Sequence, residues 1–121
     1  MSKKYLVFPD QQVVLNNYGT DVEYIPEHTQ EMLENYMVHG FHPGGFGAAV
    51  LSNDLCAAVY SADHVNRQRL DVIVRWCSTS LPSVAWGSAD AMKAWMADEG
   101  GRRSTWVQER EKAMIMEVLS S

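Results

Sequence analysis

The sequence has no apolar run of the roughly 18 residues that a membrane-spanning helix requires. Its first residues, MSKKYLVFPDQQ, also lack the long apolar core of a secretory signal peptide. Cysteine is scarce: Cys56 and Cys77 both fall in predicted helices among apolar neighbours, which favours two small buried side chains over a disulfide. These features predict a soluble intracellular protein that neither spans a membrane nor is secreted.

Basic residues are scarce in the first half of the chain. Residues 1–61 contain two lysines against seven acidic residues, whereas residues 62–121 contain eight basic and eight acidic residues. A nucleic-acid-binding surface needs a concentration of Lys and Arg, so this distribution argues against nucleic acid as a partner. The 46% hydrophobic and 21% charged composition of the 121-residue chain is that of a single globular domain.

Motifs of metal and nucleotide sites are absent as well. The sequence contains no HExxH or CxxC pattern, no P-loop and no dinucleotide-binding glycine pattern. His39 and His42 lie three residues apart but straddle a glycine turn, which argues against a metal site shared with His64 or Asp54. We therefore predict no catalytic residue, no metal ligand and no cofactor.

The hydrophobic pattern that is present predicts a mainly α fold: about five helices around a central apolar helix, with a small N-terminal β-hairpin or sheet. The runs YLVF, QVVL and VEYI have the composition of short strands within a β-rich segment, residues 1–25. A helical core at residues 26–99 and a C-terminal helical arm at residues 102–121 follow. The arm either packs on its own domain or is contributed to a neighbouring subunit of a homo-oligomer.

Local signals define the ends and the buried faces of these helices. The residues expected at helix ends are Pro26, Gly40, Pro43, Ser61, Ser88 and the capping pair Thr105 and Gln108. The residues expected on buried faces are Leu33, Tyr36, Met37, Val65, Val72, Ile73, Trp76, Met92, Trp95 and Met96.

The second predicted helix, within residues 43–61, is apolar on nearly every side, which is typical of a central helix packed by others. Asn53 and Asp54 interrupt it. Because a buried carboxylate must be paired or hydrogen-bonded, we expect both side chains to be shut away from water. They would bond a neighbouring helix end or loop, or pair with Arg67 or Arg69; a ligand-binding role is the alternative.

Two further places suit binding. Gly44 and Gly45 open the second helix, where free backbone N–H groups and the positive end of the helix dipole can hold an anion. Arg102 and Arg103 stand beside Trp106, and planar cations next to an aromatic ring suit carboxylates or phosphates.

The order of features from Ile25 to Trp95 resembles a group of small bacteriophage and prophage proteins without an assigned activity. The matching residues are Pro43 to Phe46, Ala49 to Leu51, Asn53 to Leu55, Ala62, Asp63, Asn66, Trp86 to Ser88 and Trp95. The resemblance implies a phage accessory protein in a host bacterial cytoplasm and assigns no mechanism.

These observations predict a non-enzymatic protein that binds a host or phage protein, such as a host defence or regulatory factor, and acts by occupying its surface. One alternative is a protein that sequesters a small anionic metabolite or nucleotide. The backbone amides of the Gly44 turn, with the side chain of Arg67 or Arg102, would bind the anion. A second alternative is a small hydrolase that uses Asp54 with His42 or His64 as acid and base.

Overall fold

Helices dominate the part of the chain described by a computed structural model, which covers the backbone of residues 22–120 and the side chains of residues 22–113 and 116. The α-helices there are α1 (Glu27–Glu34), α2 (Gly44–Leu51), α3 (Leu55–Ser61), α4 (His64–Gln68), α5 (Leu70–Ser80), α6 (Ala89–Met96) and α7 (Arg102–Ser120). Within residues 22–120 there is no strand, so the mainly α prediction is confirmed. The predicted strands YLVF and QVVL lie outside the described residues.

The prediction of a third strand at VEYI is wrong, because Val22–Tyr24 forms a 3₁₀ turn. The backbone N–H of Ile25 donates to the carbonyl of Val22 at 3.1 Å. Both residues are buried although they are three positions apart. A strand would point them to opposite faces, whereas a single turn buries both.

The first predicted helix is confirmed, and it begins and ends as its sequence signals indicate. α1 starts directly after Pro26 and continues into a π-helical segment, Asn35–His39. This segment ends at Gly40, whose φ of +69° is a left-handed conformation that favours glycine. The buried residues of the π-helical segment are consecutive: Tyr36, Met37 and Val38.

The second predicted helix is two helices, α2 and α3, separated by a turn at 52–54. Asn53 has a φ of +63°, and the carboxylate of Asp54 accepts a hydrogen bond from the backbone N–H of Ala57 at 3.1 Å. Asparagine tolerates the left-handed conformation and aspartate is a preferred N-cap, so this pair ends one helix and starts the next. The prediction of a central, buried position is met by α2 and not by α3. Four residues of α2 are buried, whereas Ala58 is the one buried residue of α3.

The third predicted helix is also divided, at Arg69, into α4 and α5. Its cap is Asp63, whose carboxylate accepts from the N–H of Asn66 at 2.8 Å, and not the predicted Ser61. The two divisions turn the five predicted helices into seven. In α5, Ile73 and Trp76 are buried as predicted, whereas Val65 of α4 is 49% exposed.

Of the last two helices, α6 has the predicted N-cap and α7 does not. Ser88 caps α6 as expected, because its hydroxyl accepts from the N–H of Ala91 at 3.0 Å. α7 begins earlier than the predicted cap at Thr105, because Asp98 accepts hydrogen bonds from both the N–H and the hydroxyl of Ser104. Asp98 precedes the helix and caps it in place of the predicted Thr105.

The core lies between α1, α2, α5 and α6. Its largest fully buried side chains are Trp76, Trp95, Tyr36, Leu33, Met37, Leu51, Ile73, Thr29 and Cys77. The phenol of Tyr36 donates to the carbonyl of Ala85 at 2.6 Å, which joins the π-helical segment to the loop before α6. Trp106 and Val107 pack against this core, so the first part of α7 packs on its own chain.

Candidate functional site

The most exposed apolar side chains of the described residues include two from the short helix α3. Tyr60 is 85% exposed and Leu55 is 69% exposed, and Val59 between them is 39% exposed. Cys56 is exposed as well, so the prediction that both cysteines are buried is wrong for this residue. Leu55 with Val59 and Cys56 with Tyr60 are four residues apart, so each pair shares a side of the helix. We call these four residues, Leu55, Cys56, Val59 and Tyr60, the α3 face.

The turn at Asn53 and Asp54 determines which way α3 points. The expectation that both side chains are shut away from water is wrong, because both residues are exposed. Their roles are local: Asn53 reverses the backbone, and Asp54 caps α3 through Ala57. Neither pairs with Arg67, whose guanidinium donates to the carbonyl of Ala62 at 3.1 Å.

A narrow apolar cleft of about 50 Å³ borders the α3 face on one side. It lies between α2, α3, α5 and the loop before α6, and Asn53 and Asp54 line its edge. Its apolar lining is Ala49, Val50, Leu55, Ala58, Leu70, Val74 and Trp86. Val74 is itself 36% exposed. The apolar surface of α3 therefore continues onto α5.

Charged groups of both signs lie at the ends of α3. The helix sequence LCAAVYS contains no charged residue. Asp54 precedes it and Asp63 follows it, and both are exposed. The guanidinium of Arg67 lies at the second end as well, where it donates to the carbonyl of Ala62. A cationic group at the edge of a partner surface would therefore meet complementary charge at the Asp54 end.

A second concavity, of about 260 Å³, lies at the start of α2 and includes Gly44 and Gly45. The N–H of Gly44 already donates to Nδ1 of His42 at 3.1 Å. The carboxylate of Asp63 also lines this pocket, 3.4 Å from Nε2 of His28. A carboxylate opposes the binding of an anion at the two glycines.

The wall of this pocket carries a buried polar pair that the sequence did not suggest. The hydroxyl of Thr29 donates to Oδ1 of Asn66 at 2.5 Å, and both residues are buried. The amide nitrogen of Asn66 lies 3.4 Å from Nε2 of His28. Since these groups satisfy one another, they hold α1 against α4.

The two arginines at the start of α7 have different surroundings. Arg102 is exposed and lines a groove together with Trp106 and Trp95. Arg103 is half-buried and donates to the carbonyls of Trp95 at 3.1 Å and Val38 at 3.0 Å. The structure thus brings Arg102 and Trp106 together, and it places Arg103 in contacts that join α7 to the core.

The groups named for a hydrolytic site make separate local contacts. Asp54 bonds Ala57, His42 accepts from Gly44, and Nε2 of His64 lies 3.2 Å from the amide nitrogen of Gln68. Among the side chains that the structure describes, no three of His, Cys, Asp or Glu gather in a way that could hold a metal ion.

Comparison with known proteins adds no relative: no family model, curated protein or solved structure matches this chain. Among the helices of residues 22–120, none is long and apolar enough to cross a membrane.

The exposure of the α3 face was not predicted from the sequence, because its residues have the same composition as a buried helix. One available signal was the order Asn-Asp-Leu. Asn53 suits a left-handed residue and Asp54 suits an N-cap, and together they indicate a new helix starting at Leu55.

Proposed function

We propose that this protein is a non-enzymatic binding protein. It binds a protein partner through the α3 face and acts by occupying the partner's surface. The observation that supports it is the exposure of Leu55 and Tyr60 on one short helix, at 69% and 85%. Large apolar side chains grouped on a surface are typical of protein interfaces, and tyrosine is among the residues that contribute most binding energy there.

The chemistry of the α3 face suggests what the partner presents. Its centre is apolar and uncharged, and the exposed carboxylate of Asp54 lies beyond its first end. The complementary surface is an apolar patch with a lysine or arginine at one edge. The apolar centre supplies affinity, and the charges at the rim chiefly raise the association rate.

The identity of the partner is proposed from the resemblance of residues 25–95 to phage and prophage proteins. It favours a protein of the bacterial host, such as a defence or regulatory factor, in the cytoplasm. Blocking a surface of such a factor needs no catalytic group on this chain, which fits the separate local contacts of Asp54, His42 and His64.

Cys56 provides a direct test, because its thiol is exposed on the α3 face whereas Cys77 is buried. We would attach a photoactivatable cross-linker to Cys56 of the full chain and irradiate it in bacterial lysate. Unlabelled wild-type protein should compete for the cross-linked product. A competitor carrying Leu55→Gln and Tyr60→Ser should compete at least about tenfold less well, since two central contacts are lost.

Tyr24→Ser is the matched control, because Tyr24 is a 53% exposed tyrosine outside α3. This competitor should match the wild type. If the double variant competes as well as the wild type, the α3 face is not the binding surface. If the product contains only a second copy of this chain, the surface serves self-association and the proposed partner is wrong.

A further inference from the structure

A groove of about 290 Å³ between α6, α7 and the preceding loop has the composition of a small-ligand site. This volume is close to the lower end of the range for ligand pockets, roughly 300–1,000 Å³. The residues that carry the argument are Pro82, Trp95, Arg102, Trp106 and Glu109. None of them belongs to the α3 face, so the inference is independent of the proposed function.

Two indole rings give the groove an apolar wall. The rings of Trp95 and Trp106 meet edge to face, with centroids 6.0 Å apart and an interplanar angle of 69°. Pro82 adds a rigid apolar side. Rings arranged in this way are already packed in place, so a flat or branched apolar group binds against them without much ordering of the protein.

The ring of Trp95 forms the floor of the groove, since this residue lines the groove although it is 1% exposed. Its Nε1–H has no hydrogen-bond partner among the described residues and is closed to solvent. The groove therefore offers this indole as an apolar surface and not as a hydrogen-bond donor.

A cation stands at one end of the groove. Arg102 is exposed, and its guanidinium makes no ion pair or hydrogen bond with the side chains that the structure describes, whereas that of its neighbour Arg103 donates to two carbonyls. Arg102 and Trp106 are four residues apart on α7, so they share one side of the helix. Glu109 lines the groove about two turns further along α7, so the groove carries one charge of each sign, with the cation at the Arg102 end.

We propose that this groove binds a carboxylate that carries an aromatic or branched aliphatic group. The apolar group packs against Trp95, Trp106 and Pro82, and the carboxylate pairs with the guanidinium of Arg102. A planar guanidinium binds a carboxylate through two parallel hydrogen bonds, which makes the carboxylate the preferred anion here.

The test uses N-acetyl-L-phenylalanine as the probe and its neutral amide as the matched ligand. In ¹H–¹⁵N spectra of the full chain, the four tryptophans give four indole N–H signals, which single Trp→Phe variants assign. The carboxylate probe should shift the Trp95 and Trp106 signals saturably, with a dissociation constant below about 10 mM. The amide should bind about tenfold more weakly, since it lacks the charged hydrogen bonds.

Arg102→Gln should reduce the preference for the carboxylate over the amide to less than about twofold. Arg69→Gln is the matched control, because Arg69 is an exposed arginine outside the groove, and it should leave the preference unchanged. Absence of a saturable shift at Trp95, or equal affinity for the carboxylate and the amide, would overturn the proposal. A shift confined to Trp76 and Trp86 would overturn it as well.

A third probe distinguishes the two sources of such a carboxylate. Acetyl-Gly-Gly-Phe presents the same terminal group at the end of a peptide. Tighter binding than N-acetylphenylalanine identifies a peptide C-terminus as the ligand class, and weaker binding identifies a free small acid. Either result supports recognition of the carboxylate, provided that it depends on Arg102.

Discussion

The guanidinium of Arg103 lies directly against the α-carbon of Gly40. A Cβ added to Gly40 would lie 2.8 Å from Nε of Arg103, closer than side-chain atoms approach one another. The same guanidinium donates to carbonyls of α6 and of the π-helical segment. The absence of a side chain at Gly40 therefore allows α7 to attach to the core.

The first prediction concerns Gly40→Ala. The substitution should lower the free energy of unfolding by about 2–4 kcal/mol, because a left-handed alanine is strained and the Arg103 hydrogen bonds are displaced. Gly101→Ala is the matched control: its φ of +71° is nearly the same, but no atom lies within 4 Å of the added Cβ. That variant should lose only about 1–2 kcal/mol. If urea unfolding shows the same loss of stability for both variants, the side chain of Arg103 moves aside without a measurable loss of its contacts.

The second prediction concerns the buried pair Thr29 and Asn66. Thr29→Val keeps the shape but leaves Oδ1 of Asn66 without its donor, which should cost about 1–3 kcal/mol of stability. The exposed Thr105 is the control, and Thr105→Val should change stability by less than about 0.5 kcal/mol. Combining Thr29→Val with Asn66→Ala should cost less than the sum of the two, and strict additivity in a double-mutant cycle would contradict the pair.

The third prediction is that the two thiols differ in reactivity. Cys56 is exposed, whereas Cys77 is 0% exposed and its burial raises the pKa of its thiol to about 12. Because thiolates are the reactive form, iodoacetamide should modify only Cys56 in the native protein at pH 8. A sample in denaturing urea should gain two groups. Two additions to the native protein at similar rates, measured by intact mass, would contradict the burial of Cys77.

The same raised pKa gives a fourth prediction, on stability at alkaline pH. The unfolded thiol loses its proton near its ordinary pKa of about 8.5, whereas the native thiol retains its proton up to about pH 12. The native state then binds more protons, so this contribution is complete below about pH 8.5 and is lost as the pH rises toward 12. Cys77→Ala should be less stable at pH 7 because of the cavity, but its stability should fall less steeply between pH 8.5 and 10.

The fifth prediction concerns Asp98, whose pKa is lowered chiefly by the hydrogen bond from the hydroxyl of Ser104 and then by the one from its backbone N–H. A lowered native pKa means that the contribution to stability is present above the ordinary pKa of about 3.9 and is lost as the pH falls through the native value. Asp98→Asn, which tolerates the same left-handed backbone, should therefore lower the melting temperature at pH 6 and have little effect near pH 2. Asp90→Asn controls for the change in charge, and an equal effect of both variants would contradict the cap.

Helix positions were predictable where one residue type performs a local task. Pro26 and Gly40 bound the first helix, and Ser88 caps α6, because these roles depend on the residue and its nearest neighbours. The division between α2 and α3 was missed for a local reason as well. The apolar pattern on either side of Asn53 outweighed the helix-ending signal of that residue.

The exposure of the α3 face was not predictable from composition. Leu55 and Val59 have the side chains of a buried helix, and whether a neighbour covers them depends on how α2 and α5 are placed. The surroundings of Arg103 depend in the same way on tertiary structure, since its hydrogen bond to Val38 joins residues 65 positions apart. The proximity of Arg102 to Trp106 was predictable, because four residues on a helix bring two side chains together.

The π-helical segment Asn35–His39 constrains how this chain can change in length. Such a segment corresponds to one residue inserted into an ordinary helix. Removing one residue there would restore regular spacing, and because the wide turn already absorbs the extra residue, α1 would keep its orientation and Leu33 its place in the core. The same deletion inside α1 would rotate the residues before it by about 100°. This segment is therefore the place in the first helix where the chain can lose a residue with the least disturbance of the fold.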